Sequence, residues 1–198
     1  MSGRPAAFID RDGTLNEFVS DPDSGLPESP LRVEDVRLIE GAGRAARELA
    51  KAGFALVCVS NQPAAAKGKV SLEQLLAVHE RVLELLGEEG VNLDAFRLCL
   101  HHPQGVVPEL SGPCACRKPA PGMLLDAAQE LGLELASSWM LGDTDSDVVA
   151  AHAAGARAVL IEHPGSAHKR TGEANPDLLA SSLADGVAQL LASGIVGR

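Results

Sequence analysis

Aromatic residues are scarce in this sequence, with four phenylalanines, one tryptophan and no tyrosine among 198 residues. Leucine, valine and alanine must therefore fill the interior, and a hydrophobic fraction of 45% suits a soluble globular protein. Long apolar runs are also missing. Stretches such as Phe54–Val59 and Ala150–Ala154 are too short to cross a bilayer. We expect one domain over residues 1–198, with no membrane partner.

Basic residues are few, 17 against 27 acidic ones, which gives a net charge of -10. This balance argues against nucleic acid as the main partner, because the phosphate backbone needs a basic face. A small anionic substrate is still possible, since a local pocket can outweigh the global field. The first residues contain no secretory apolar region. We therefore expect a cytoplasmic monomer, with its thiols reduced.

Short apolar runs alternate with stretches of helical spacing. The predicted strands are Ala6–Ile9, Phe54–Ser60, Ala95–Leu100, Trp139–Leu141 and Ala156–Ile161. The predicted helices are Ala42–Lys51, 72–86, Gly122–Leu131, Asp145–Ala154 and Leu183–Leu191. Such alternation predicts an α/β fold with a doubly wound, mainly parallel sheet, in which ligands bind beyond the carboxyl ends of the strands.

Two carboxylates follow the first predicted strand, in the run Asp10-Arg-Asp-Gly-Thr14. A carboxylate at a strand tip can attack phosphorus and form an aspartyl phosphate, which is a role for Asp10. A second carboxylate, Asp12, can protonate the leaving oxygen and then activate water. The alternative is a surface turn, because Asp-Gly is common in turns.

Three further polar runs lie near predicted strand ends. Ser60, Asn61 and Gln62 offer a hydroxyl and two amides that can grip phosphate oxygens, although a turn or helix cap is the simpler reading. Lys118 can neutralise a phosphate and Arg117 can bind a second anionic group, unless both are merely solvated charges.

The third of these runs is acidic. Asp143 and Asp147 have a Gly-Asp-x-x-x-Asp spacing after the Trp139–Leu141 strand. Carboxylates bunched at strand ends suit Mg²⁺, which bridges to phosphate. The alternative is a helix cap, for which Thr144 or Asp145 is also suited.

The four runs, in this order and at strand ends, resemble the haloacid dehalogenase superfamily of phosphohydrolases between Phe8 and about Ile161. The resemblance implies a Rossmann-like sheet and an Mg²⁺-dependent aspartyl-phosphate mechanism. It implies these roles: Asp10 as nucleophile, Asp12 as general acid/base, Ser60 and Lys118 as phosphate ligands, Asp10, Asp143 and the backbone carbonyl of Asp12 as Mg²⁺ ligands, and Asp147 as a residue that orients the metal site.

Three of the four cysteines lie in one loop, residues 99–116. Cys99, His101, Cys114 and Cys116 suit tetrahedral Zn²⁺, which would stabilise a loop rich in proline and glycine. A disulfide is the rival, but it would leave one thiol over. His102 is an alternative ligand. We predict Cys58 and His79 to be core residues, with the histidine nitrogens satisfied.

The run Cys-x-His…Cys-x-Cys-Arg-Lys-Pro narrows the resemblance to D-glycero-D-manno-heptose-1,7-bisphosphate 7-phosphatases and histidinol-phosphatases. His-His-Pro-Gln-Gly and Pro-Gly-Met are closer to the heptose enzymes. This implies a minimal cap or none, with substrate contacts from Glu17–Pro30, Pro63–Val70 and the zinc loop. Lys67 and Arg117 are the candidates for a distal phosphate. The chain departs from the heptose pattern at residues 63–68 and at Thr144, and residues 21–29 match no loop of the pattern.

We therefore expect a phosphatase that removes the 7-phosphate of a heptose 1,7-bisphosphate. A histidinol-phosphate phosphatase, or another phosphatase of a small sugar or polyol phosphate, is the enzymatic alternative. Asp21, Asp23 and Glu28 would suit the cationic substrate of the histidinol enzyme. An inactive zinc-stapled scaffold is the non-enzymatic alternative. It would be expected to lack one of Asp10, Asp12, Lys118 and Asp143, and all four are present.

Overall fold

A parallel sheet forms the centre of the computed structural model, which describes residues 3–21 and 24–194. In chain order the strands are β1 (Ala6–Ile9), β2 (Val19–Ser20), β3 (Pro27–Glu28), β4 (Ala55–Asn61), β5 (Ala95–Cys99), β6 (Trp139–Gly142), β7 (Arg157–Ile161) and β8 (Leu178–Ala180). Six of them form the sheet in the order β5-β4-β1-β6-β7-β8, with every neighbouring pair parallel. β1 therefore lies between β4 and β6.

Helices cover both faces of the sheet. They are α1 (Ala42–Lys51), α2 (Leu72–Glu88), α3 (Gly122–Leu131), α4 (Asp145–Ala154) and α5 (Leu183–Ala192). β1 shows why both faces are apolar: Ala7 and Ile9 pack towards α1 and α5, whereas Ala6 and Phe8 pack towards α3 and α4. The predicted doubly wound α/β fold is confirmed. Within the described residues, no helix combines the length and the apolar character that a membrane crossing requires.

Helix ends follow their local sequence. Ser71 and Gln74 form the capping box that opens α2. Thr144 caps α4 together with Asp147, and Gly155, in the left-handed conformation, ends that helix. The cap on α4 fixes the first turn of the helix next to the end of β6, where Asp143 lies.

Several strands differ from the sequence prediction. β4 runs to Asn61, one residue beyond the predicted end, so Asn61 belongs to the strand itself. β2 and β3 form an antiparallel hairpin that we had not predicted, because two-residue strands leave no alternation to detect. β8 is similarly short, three residues paired with β7 at the sheet edge. Asp23 lies outside the described residues.

His79 on α2 is a core residue, 2% exposed, with its ring centroid 4.5 Å from that of Phe96. Among residues 3–21 and 24–194, neither ring nitrogen has a hydrogen-bond partner, so the expected satisfied histidine is not observed. Burial, and to a smaller extent the positive charge of Arg11, lowers the pKa of His79 to about 4. The ring is therefore neutral near pH 7.

Protonation of this ring should be linked to unfolding. Below the ordinary histidine pKa, the unfolded chain gains a proton that the folded protein does not take up until near pH 4, so stability falls as the pH is lowered. The loss between pH 7.5 and 4.5 is roughly 2 to 3 kcal/mol. In urea unfolding at several pH values, we expect His79→Leu to remove this loss. His168→Leu, a change at an exposed histidine, should keep the wild-type dependence of the unfolding free energy on pH. The same pH dependence in all three proteins would contradict a buried neutral ring.

Candidate active site

Carboxylates from distant parts of the chain meet at the carboxyl edge of the sheet. Asp10 follows β1 and Asp143 follows β6, and these strands are hydrogen-bonded neighbours. The backbone NH of Asp10 donates to the carbonyl of Leu141 at 2.9 Å, which continues that pairing. One carboxylate oxygen from each of Asp10, Asp143 and Asp147 lies within 4.8 Å of the other two. Sheet order thus brings together residues more than 130 positions apart.

Lys118 is the cation nearest to this acidic group. Its ammonium lies 3.0 Å from Asp10 Oδ1 and 2.5 Å from Asp147 Oδ1, and it donates to the carbonyl of Val59 at 2.8 Å. Burial alone would lower the pKa of Lys118, but the two carboxylates raise it above its ordinary value. The side-chain amide of Asn61 holds the Lys118 backbone by accepting from its NH and donating to its carbonyl, each at 3.0 Å.

The acidic group carries more negative charge than Lys118 neutralises. Asp143 is fully buried, and neither of its carboxyl oxygens makes a hydrogen bond of normal geometry with any residue that the structure describes. Burial, followed by repulsion from Asp10 and Asp147, raises the pKa of Asp143 to about 8. Burial also raises the pKa of Asp10 to about 6, against the lowering effect of Lys118. Unpartnered oxygens of this kind fit a hard divalent cation such as Mg²⁺.

The turn after β1 allows this close approach. Gly13 has a φ of +80°, and a Cβ there would collide with a carboxyl oxygen of Asp143 and lie 2.6 Å from the Phe18 ring. A side chain at this position would therefore push Asp143 or Phe18 out of the site.

Asp12 faces a different set of partners. Its Oδ1 accepts from Arg11 Nε, Arg11 Nη2 and Asn16 Nδ2 at 2.9–3.1 Å. Its Oδ2 accepts from Arg11 Nη2 at 3.0 Å, Gln62 Nε2 at 2.6 Å and Ser29 Oγ at 2.9 Å. Burial alone would raise the pKa of Asp12, but Arg11 and these hydrogen bonds hold it below its ordinary value.

The side chain of Gln62 contacts Asp12 and is not among the described residues that line the cavity over the carboxylates. Its amide is buried, donates to Asp12 and Ser60 Oγ, and accepts from Arg11. Gln62 therefore supports the side chain of Asp12, whereas Ser60 and Asn61 line the cavity that opens over the carboxylates. The sequence did not reveal this arrangement, because Arg11 between the two aspartates looks like an exposed charge until the structure shows it fully buried.

The cysteine cluster is formed by the four residues that the sequence singled out. The Sγ atoms of Cys99, Cys114 and Cys116 lie 3.1–3.7 Å apart, and His101 Nδ1 lies 3.4 Å from Cys116 Sγ and 3.9 Å from Cys99 Sγ. All three thiols are free, and disulfide sulfurs would lie about 2 Å apart. Ligands of tetrahedral zinc lie roughly 3.5 to 3.8 Å apart for Zn–S bonds of about 2.3 Å. The cluster fits such an ion.

The other candidates near the cluster lie elsewhere. The ring of His102 accepts a hydrogen bond from the backbone NH of Gln104, and it does not belong to the group of four. Cys58 is fully buried in the core next to β1, where burial raises the pKa of its thiol to about 12. Cys58 is a small apolar residue there, as predicted.

A cavity of about 470 Å³ opens over the carboxylates. It is lined by the predicted Lys67, Arg117 and Lys118, and by residues of the predicted contact segment Glu17–Pro30, namely Phe18, Glu28 and Ser29. Ser146 and Lys169 also line it, and we had not singled these two out. The ammonium of Lys169 lies 5.2 Å from the centre of the Phe18 ring. Lys169 ends a 3-10 helix after β7, a loop with no recognisable motif, so no sequence signal pointed to it.

The acidic residues of the 17–30 segment are engaged with a lysine. Lys69 Nζ lies 3.6 Å from Glu28 and 3.7 Å from Asp21. Two of the carboxylates proposed for a cationic substrate therefore share a positive charge supplied by the protein itself.

Comparison with known proteins agrees with this geometry. A family model described as HAD-hydrolase-like matches residues 115–186. D-glycero-beta-D-manno-heptose-1,7-bisphosphate 7-phosphatases from Yersinia pestis and Escherichia coli K12 are 42% and 40% identical over 181 residues, which is 91% of this chain and 92% and 91% of theirs. The chain belongs to the haloacid dehalogenase-like phosphatases.

Solved structures give the same family. D,D-heptose 1,7-bisphosphate phosphatase from B. bronchiseptica, complexed with magnesium and phosphate, superimposes with a TM-score of 0.77 and 28% identity. The match covers 95% of this chain and 99% of that one. HAD phosphatases use Mg²⁺, and the cluster around Asp10 and Asp143 is where this chain offers carboxylates for it.

Removing one carboxylate tests the cation site without an activity assay. We expect Mg²⁺ to stabilise the wild type by about 2.7 kcal/mol at a hundredfold excess over Kd, or roughly 5 to 10 °C in Tm. Asp143→Asn should lose this response and, without metal, be at least as stable as the wild type, because the buried carboxyl that it replaces has no hydrogen-bond partner among the described residues and its charged form is disfavoured there.

The control is Asp145→Asn, which removes the same charge two residues along, outside the acidic group. It should keep the Mg²⁺ response in thermal unfolding. If Asp143→Asn responded as strongly as the control, the cation would bind elsewhere.

Proposed function

We propose that this protein is an Mg²⁺-dependent phosphomonoesterase that removes the 7-phosphate of D-glycero-D-manno-heptose 1,7-bisphosphate. The observation that carries the proposal is the convergence of Asp10, Asp143 and Lys118 in one buried site. Relatives at 42% and 40% identity that bear this activity in their names support the choice of substrate. Retention of all four residues that the chemistry needs disfavours an inactive scaffold.

The reaction has two steps at Asp10. In the first, a carboxylate oxygen of Asp10 bonds to phosphorus, the bond from phosphorus to the sugar oxygen breaks, and Asp12 gives that oxygen a proton. In the second, Asp12 takes a proton from water, the water oxygen bonds to phosphorus, and the aspartyl bond breaks. Lys118 and Ser60 hold the phosphate oxygens in both steps.

Asp10, Asp143 and the backbone carbonyl of Asp12 would hold the Mg²⁺. When bound, the ion would balance the excess carboxylate charge and withdraw charge from the phosphate oxygens. Asp147 acts indirectly, since its Oδ1 contacts Lys118 and its Oδ2 accepts from the NH and hydroxyl of Thr144. Gly142 allows this packing, because a Cβ there would lie 2.6 Å from Asp147 Oδ2.

The phosphate that stays on the sugar would bind to Lys67, Arg117 and Lys169. These three cations line the cavity, and none of them forms an ion pair among the described residues. Lys67 and Arg117 follow β4 and β5, whereas Lys169 follows β7 on the other side of β1. Three cations without ion-pair partners among the described residues give the cavity a local positive charge, in a chain whose net charge is -10. Such a cavity would attract a second phosphate and repel the amine of histidinol phosphate.

Phosphate release from a substrate panel tests the assignment. We expect the highest kcat/KM with heptose 1,7-bisphosphate, lower values with fructose 1,6-bisphosphate, and the lowest with histidinol phosphate. Asp10→Asn should lower kcat by at least about a thousandfold while Tm stays near that of the wild type, because a neutral amide cannot attack phosphorus. Preference for histidinol phosphate would refute the substrate, and turnover by Asp10→Asn would refute the nucleophile.

We propose that Cys99, His101, Cys114 and Cys116 hold one structural Zn²⁺. Four protein ligands leave no open position for catalysis, so the ion acts by fixing the loop that leads to Arg117 and Lys118. Free thiols also agree with a cytoplasmic location. We also propose, on the sequence analysis alone, a monomer with a single domain over residues 1–198.

Metal analysis tests the cluster. We expect about one zinc per chain in the wild type and in Cys58→Ala, whose thiol lies in the core. Cys116→Ser should lose most of the zinc and lower kcat/KM, because the loop next to Lys118 is released. Full zinc content in Cys116→Ser, or a fully active zinc-free protein, would contradict the proposed role.

A further inference from the structure

The hairpin between residues 17 and 30 contacts the candidate general acid/base directly. Ser29, just after β3, donates its hydroxyl to Asp12 Oδ2 at 2.9 Å. Phe18 and Glu28, from the two arms of the same hairpin, line the cavity. One short segment thus lines the cavity proposed for the substrate and also contacts Asp12, the candidate general acid/base.

The other donors to Asp12 belong to the rigid interior. Arg11 and Asn16 are fully buried and Gln62 is 3% exposed. Ser29 is partly exposed and, among the described residues, it is the one donor to Asp12 that comes from the hairpin. A displacement of the hairpin would therefore reach Asp12 through this hydroxyl, while the three interior donors stay in place.

Ser29 also differs chemically from the other donors. The guanidinium of Arg11 and the amide nitrogens of Asn16 and Gln62 can only donate hydrogen bonds, whereas a hydroxyl can donate or accept. During the proposed cycle Asp12 alternates between carboxylic acid and carboxylate. The Ser29 hydroxyl can keep its contact in both states by rotating. The Arg11 guanidinium has no acceptor, and flips of the Asn16 and Gln62 amides would break their contacts with Glu17 and Arg11.

The hairpin is held in place so that this contact is reproducible. Lys69 bridges to Glu28 from the loop after β4. Leu31 packs with Ala64, Ala65 and Leu75 in a small apolar cluster beneath that loop. At the other end of the hairpin, the backbone NH of Glu17 donates to the carbonyl of Arg37 at 2.9 Å. These anchors set where Ser29 lies relative to Asp12.

We infer that Ser29 is a positioning residue that orients Asp12 towards the leaving oxygen, so that the 17–30 hairpin both lines the substrate cavity and aligns the proton donor. The inference rests on the proposed function only for the role of Asp12 as general acid. It gives the hairpin a task that no motif in its sequence indicates.

Leaving-group dependence separates this role from a merely structural one. An alkyl phosphate such as a sugar phosphate needs a proton on its leaving oxygen, whereas p-nitrophenyl phosphate has a stable phenolate leaving group that needs little. kcat/KM covers only the steps through departure of the leaving group, so hydrolysis of the aspartyl phosphate does not enter the comparison.

The experiment compares kcat/KM for both substrates in the wild type, Ser29→Ala, Ser29→Thr and the control Ser20→Ala, an exposed serine of the same hairpin. We expect Ser29→Ala to lose about tenfold on the sugar phosphate and less than about twofold on p-nitrophenyl phosphate. Ser29→Thr, which keeps the hydroxyl, should recover most of the loss, and Ser20→Ala should match the wild type.

Equal losses on both substrates, or no loss on the sugar phosphate, would overturn the inference. Thermal unfolding of each variant shows whether the fold is retained. If Ser29→Ala is destabilised, Ser29→Thr, which keeps the hydroxyl, still tests the role of the hydroxyl. Any alkyl phosphate that the wild type hydrolyses serves for the test. A wrong substrate assignment would therefore appear in the wild-type panel, separately from the ratio between the two leaving groups.

Discussion

The burial of several carboxylates around one lysine is the constraint on which this molecule depends. Asp10, Asp143 and Asp147 meet at the edge of the sheet, and Lys118 contacts two of them. Like charges held together away from water are costly unless a cation compensates them. Burial, with repulsion from Asp10 and Asp147, accordingly raises the pKa of Asp143 to about 8. The fold holds an arrangement that a bound divalent cation would complete.

The loop that carries Lys118 shows how this arrangement is maintained with little apolar packing. Cys114 and Cys116 end the cysteine cluster, and Lys118 follows two residues later. On the other side, Asn61 of β4 holds the Lys118 backbone. Gly122 lies so close to Ala115 that a Cβ would collide with its carbonyl. A metal-fixed loop, a strand and a close backbone contact together determine where the ammonium points.

The fold and the reactive residues could be predicted because their signals are local. Buried parallel strands appear in the sequence as short apolar runs. Reactive side chains that directly follow such strands, like Asp10 and Asp143, lie at the same edge of the sheet. The cysteine cluster was equally visible, since Cys-x-His and Cys-x-Cys show their spacing directly. Family resemblance added the roles that residue type alone leaves open.

The remaining residues of the site depend on tertiary contacts that leave no pattern in the chain. Arg11 looks like a surface charge, yet it is fully buried against Asp12. Gln62 resembles a phosphate ligand but supports that same carboxylate. Lys169 enters the cavity only because its loop rests on Phe18, a contact between residues 151 positions apart. Two-residue strands such as β2 and β3 are too short for periodicity to reveal.

Anomalous diffraction from crystals soaked in Mn²⁺, a substitute for Mg²⁺ with a measurable anomalous signal, tests the convergence of the carboxylates most directly. We expect a single strong peak at the sheet edge, within about 2.0 to 2.3 Å of a carboxylate oxygen of Asp10 and one of Asp143. A peak at another place, or none at this edge under conditions in which the enzyme is active, would contradict the central claim.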